Sequence, residues 1–142
     1  SAEHRSVARR GAPAFDARPM GVLDIFSLAG VTGARDIRFD LGVGESAGTL
    51  GGGPASHDLY IDIEGTVATG RPTRRRWRLT DPRGQAHLTA LGVLIGIERV
   101  LGLDGAPPMR GGLALAEALP DPERMLQRLC AFGVRFDEEA AP

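Results

Sequence analysis

The sequence predicts an α+β domain: a mostly antiparallel sheet of three to five strands, with helices packed mainly on one face. Three observations carry this. Residues 36–41, 59–67 and 74–80 alternate apolar with polar side chains at a period of two. The last two of these runs are joined by a short connection containing Thr69, Gly70, Arg71 and Pro72, which suits a hairpin. Residues 85–101 and a second run after Asp121-Pro122-Glu123 carry helical spacing with start and stop signals.

Taken in order, residues 1–18 mix charge, Gly and Pro without an apolar period and read as a linker or frayed arm. The missing initial Met reads as a start inside a longer protein. Pro19 suits the first position of a helix running to Gly30, with Met20, Leu23, Phe26 and Leu28 on one side and Gly30 or Gly33 as the stop. In the strand 36–41, Ile37, Phe39 and Leu41 face one way and Asp36, Arg38 and Asp40 the other. Residues 42–56 hold six Gly and one Pro, have no period, and read as a flexible loop, either a lid or a connector.

Leu59, Ile61, Ile63 and Val67 share one face of the next strand, with Tyr60, Asp62, Glu64 and Thr66 on the other. Its partner points Trp77 and Leu79 inward and Arg74, Arg76, Arg78 and Thr80 to solvent. Residues opposed across a ladder share a face. That favours Ile63 opposite Leu79, Trp77 opposite Gly65 and Arg78 opposite Glu64. After the turn Asp81-Pro82-Arg83-Gly84 comes a helix over 85–101. Between Leu88 and Ile97 it is apolar nearly all round, which calls for deep burial or a subunit contact; Glu98 and Arg99 mark where it meets water, and Gly102 and Gly105 end it. Residues 113–119 fit a short strand or a helical turn. Asp121 as N-cap and Pro122 at N1 start the last helix, with Met125, Leu126, Leu129 and Cys130 inward and Gly133 as the stop. Val134, Arg135 and Phe136 fit an edge strand, and residues 138–142 read as a tail. The expected organisation is one domain over 19–137.

Composition narrows the chemistry. The chain has 142 residues, a formal net charge of −1, 42% apolar and 25% charged residues, as a soluble globular domain does. All 17 basic residues are Arg. Without Lys the chain has no Walker A lysine, no Schiff-base lysine and no Ser–Lys dyad. The single Cys130 excludes an internal disulfide and a multi-Cys zinc site. The ten uncharged residues 88–97 fall short of the roughly twenty that span a bilayer. With no signal-peptide pattern, the expected location is cytoplasmic, without membrane or nucleic-acid partners.

Four motifs point to chemistry. Gly44-Glu45-Ser46-Ala47-Gly48 matches G-x-S-x-G, with Asp62 and His87 following in the order of a serine hydrolase. Gly42-x-Gly44-x-x-Ala47 matches a dinucleotide fingerprint. Both need a helix at once, and Thr49-Leu50-Gly51-Gly52-Gly53-Pro54 is hostile to one. No cofactor site in this chain is therefore expected. Arg71, Arg74, Arg75, Arg76 and Arg78 could grip a carboxylate or phosphate. Pairing with Asp62 and Glu64 is the simpler reading, though two carboxylates cannot absorb five guanidinium groups. Tyr60 and Trp77 fall on opposite faces and form no stacking platform. His4, His57 and His87 are not spaced as metal ligands, so no metal is expected. Arg74, Arg76, His57 and His87 are the candidate substrate or interaction residues; no catalytic residue is assigned.

Gly84-Gln85-Ala86-His87-Leu88-Thr89-Ala90, Gly111-Gly112-Leu113, Glu117-Ala118-Leu119, Asp121-Pro122-Glu123 and Phe132-Gly133-Val134, with the Glu64-Gly65 end of the hairpin, resemble the C-terminal part of saccharopine-dehydrogenase-like oxidoreductases. The resemblance covers residues 20–136; where the family has Pro-Glu, this chain has Ala116-Glu117. It implies an NAD(P)-binding Rossmann domain outside these 142 residues. This chain would be the substrate-side and dimerisation domain, inactive alone, forming a homodimer and meeting a small-molecule substrate together with the other domain. The rival expectations are a stand-alone dimerising or small-ligand-binding module and, third, a small serine hydrolase.

Overall fold

Strand pairing organises six segments of the chain in the computed structural model, which describes residues 4–139. Among them β1 (Arg5–Arg9), β2 (Ala12–Pro19) and β3 (Asp40–Gly42) form one antiparallel sheet in that order. The strands β4 (His57–Thr66), β5 (Pro72–Asp81) and β6 (Arg135–Glu139) form a second. The helices are α1 (Asp24–Thr32), α2 (Ala47–Leu50), α3 (Gln85–Leu101) and α4 (Pro122–Ala131), with a 3-10 turn at Ala116–Ala118. The class is α+β with antiparallel sheets, as expected, and the strands divide over two sheets rather than one. No helix among the described residues is long and apolar enough to cross a membrane.

The chain divides into two compact units. The first takes residues up to Gly44 together with Glu98–Asp121. Its β1–β2 hairpin replaces the expected arm: Val7 pairs with Phe15, and Gly11, at φ 70, makes the turn that the mixed composition concealed. Pro19 ends β2 instead of starting a helix, and α1 begins five residues later. Gly33 stops α1 as expected, at φ 68 with its N–H on the Ala29 carbonyl. The strand expected over 36–41 is reduced to β3, because only Asp40, Leu41 and Gly42 find partners in β2. Gly42 is required there: a Cβ would run into the Phe15 ring.

In this unit α3 ends in a Schellman motif. The Leu103 N–H donates to the Glu98 carbonyl at 2.8 Å and the Gly102 N–H to Arg99 at 3.3 Å. Glu98, expected at the water boundary, is buried, while Arg99 is held by Asp104 at 3.2 Å and by the Pro107 carbonyl.

The second unit holds Glu45–Ile97 and the chain from Pro122. Its core is Leu79 of β5, Leu91 and Ile95 of α3, Leu129 of α4 and Val134, with Leu59, Leu88, Met125, Phe132 and Phe136 packed against them. Helix α3 has the bounds its pattern predicts, but it is not buried all round. Leu91 and Ile95 face the core; Val93, Leu94 and Ile97 are exposed. Cys130, read as a small core residue, is exposed as well.

The hairpin register differs from expectation by four residues. Leu59 opposes Leu79, Ile61 opposes Trp77, Tyr60 opposes Arg78 and Glu64 opposes Arg74. The turn explains it. Gly70 sits at φ 81 with its N–H on Val67, and the Val67 N–H reaches the Arg71 carbonyl, so the chain reverses within residues 67–71. The expected register would have centred the turn on Arg71 instead of Thr69. Parity survives the shift, which keeps Tyr60 and Trp77 on opposite faces. Residues 138–139, expected in a tail, belong to β6; residues 140–142 lie outside the described residues.

Candidate functional site

On the polar face of the β4–β5–β6 sheet, side chains alternate so that Arg74, Arg76 and Arg78 align with Asp62 and Glu64. Arg76 grips Asp62 with two parallel bonds, Nε to Oδ1 at 2.6 Å and Nη2 to Oδ2 at 2.7 Å, and lies over the Tyr60 ring. It was expected to face solvent and is 4% exposed. The hydrogen bond to Asp62 raises the Arg76 pKa against the opposing cost of burial, with the charges of Asp62 and Glu139 adding to the rise. Arg74 pairs with Glu64 at 3.0 Å. Strand β6 brings Asp137, Glu138 and Glu139, which take up Arg78 and Arg75. The two-carboxylate limit assumed from the hairpin alone is thus lifted by a third strand from the far end of the sequence. Arg74 and Arg76, two of the four candidate site residues, are engaged inside the sheet.

The glycine-rich segment before β4 carries a one-turn helix where none was expected. Ser46 is its N-cap in a capping box with Thr49. The Ser46 hydroxyl oxygen also accepts the Ser56 N–H at 2.9 Å. Asp58 accepts the Ala47 N–H at 2.7 Å and the Ser56 hydroxyl at 3.1 Å. The hydrolase order Ser46, Asp62, His87 is therefore not assembled: Ser46 caps α2, Asp62 holds Arg76, and His87 is bound to Asp81. With four residues, α2 also falls short of the helix that a dinucleotide fingerprint needs. Replacing Ser46 with Ala should cost about 1 kcal/mol by loss of the cap. A urea midpoint unchanged by that substitution would show that the hydroxyl does not hold the segment.

The remaining two candidates flank one buried acid, His87 through a hydrogen bond and His57 as its ladder partner. Asp81 closes β5 and has no exposed surface. Its Oδ1 accepts the Arg83 N–H at 2.9 Å, and the Gly84 N–H reaches its carbonyl, so the residue shapes the turn into α3. Its Oδ2 lies 2.6 Å from His87 Nδ1, in the first turn of α3. His57 stands directly across the ladder from Asp81. A carboxylate can only accept, so His87 Nδ1 is the donor in this bond and Nε2 points away from it. Asp81 was read only as a turn residue. The signal that could have found it is a turn-forming Asp six residues before a histidine in the opening turn of the helix. Among the described residues, no three His, Cys, Asp or Glu side chains could hold a metal ion.

No protein-family model, curated protein or solved structure matches the chain.

Proposed function

We propose that this chain is the substrate-side and dimerisation domain of a saccharopine-dehydrogenase-like oxidoreductase. The observation that supports this most is where the resembling segments lie. Gly84–Ala90 opens α3, Pro122-Glu123 opens α4, and Phe132-Gly133-Val134 leads into β6, all three in the second unit, with Leu88, Phe132 and Val134 in or against its core; Gly111-Gly112-Leu113 and Glu117-Ala118-Leu119 fall in the first unit. The nucleotide-binding domain would be supplied by the rest of a longer, cytoplasmic protein, and NAD(P) would bind there. The exposed apolar side of α3 supports the dimerisation part of the reading, and equally favours the rival of a stand-alone dimerising module.

Sedimentation tests the dimer. The wild-type chain is expected to dimerise, and Ile97→Asp, at a position 48% exposed, is expected to run as a folded monomer. A wild-type chain that stays monomeric at high concentration would remove the interface. Calorimetry with NAD(P)H tests the division of labour: micromolar binding to these 142 residues would overturn the assignment of the cofactor to another domain.

A further inference from the structure

The Asp81–His87 pair asks more of the chain than a turn requires. An asparagine at position 81 could accept the Arg83 N–H equally well and shape the same turn. A carboxylate with no exposed surface carries a desolvation cost that only a good partner offsets. The partner present is the His87 ring, bound through Nδ1 at 2.6 Å. Among the described residues the opposite ring nitrogen, Nε2, makes no hydrogen bond, and the His87 side chain keeps 20% of its surface exposed. An imidazole oriented by a buried carboxylate, with its second nitrogen open, is the arrangement of a general base.

We propose that His87 is a proton-accepting site for a ligand bearing a hydroxyl or amine, with Asp81 as its positioning residue. In the step, the ligand's O–H or N–H bond breaks and its electron pair stays on the ligand heteroatom. The proton bonds to Nε2, and the resulting imidazolium faces the Asp81 carboxylate. His57, across the ladder from Asp81, supplies a second imidazole at the same end of the hairpin. The inference stands apart from the oxidoreductase reading, because neither a dimer nor a nucleotide enters it.

Two measurements on the intact chain test it. Long-range nitrogen–proton NMR should show neutral His87 protonated on Nδ1, opposite to the tautomer that free imidazole side chains favour. Diethyl pyrocarbonate, used as the probe of Nε2, should carbethoxylate His87 in the folded protein, and His87→Asn should remove that adduct while the adduct on exposed His4 remains. Asp81→Asn should return His87 to the other tautomer and slow its modification severalfold. If Asp81→Asn does not fold, the two wild-type measurements decide. An Nε2-protonated His87, or a His87 that the reagent cannot modify in the native chain, would overturn the proposal.

Discussion

Arg76→Ala is expected to destabilise the second unit by about 3 kcal/mol, among the largest single effects in the chain. The guanidinium is almost wholly buried and makes two bonds to Asp62. Its removal takes two bonds from Asp62, whose side chain is 22% exposed, and one positive charge from beside the buried Glu139, which keeps Arg78 at 3.2 Å. Most of the loss is the penalty of leaving a part-buried carboxylate less well compensated, not the net worth of the pair. Arg76→Lys should lose less, since it restores a charge but not the two-pronged geometry. Arg74→Ala is the control. Its pair with Glu64 is exposed on both sides, 41% and 65%, so removal should change stability by less than about 1 kcal/mol. Urea denaturation of the three variants gives the comparison. Equal losses for Arg74→Ala and Arg76→Ala would mean that burial does not separate the two pairs.

That contrast also shows where sequence reading ran out. Period-two alternation located β4 and β5 and sorted which side chains share a face, because side-chain direction is local, but it did not tell which positions are buried: Arg76 and Thr80, expected at solvent, are buried, while Ile61 and Ile63 are exposed. The register depended on where the chain reverses around Gly70, and pairings shifted by two or four residues satisfy the same parity. The burial of Arg76 depended on β6, more than fifty residues away in sequence, whose Glu138 and Glu139 were expected in a tail. Helix bounds were legible where a cap or a stop glycine marks them, as at Pro122 and Gly133. They were missed where a proline suits both a helix start and a strand end, as at Pro19. At the candidate site, His57 and His87 were singled out separately. What joins them is Asp81, and its role comes from the meeting of a strand end, a tight turn and a helix start, which no single periodicity encodes.

Leu91→Ala should cost about 3 kcal/mol, through lost burial and the cavity left between α3 and the rest of its core. Leu91 is 4% exposed and belongs to the cluster with Leu79, Ile95, Leu129 and Val134. Leu94, three residues on, is 37% exposed, and its replacement by Ala should cost much less in the monomer. The two sides of α3 are therefore separable by how each variant responds to protein concentration. A dimer adds stability by mass action, so its contribution grows with concentration. Leu91→Ala should lower the denaturation midpoint by a similar amount at every concentration and leave self-association intact. Ile97→Asp should leave the midpoint of the dilute chain nearly unchanged and abolish its rise with concentration. The reverse pattern, with Leu91→Ala removing the concentration dependence, would place the self-association surface on the core side of α3 and sink its assignment to the Val93, Leu94 and Ile97 side.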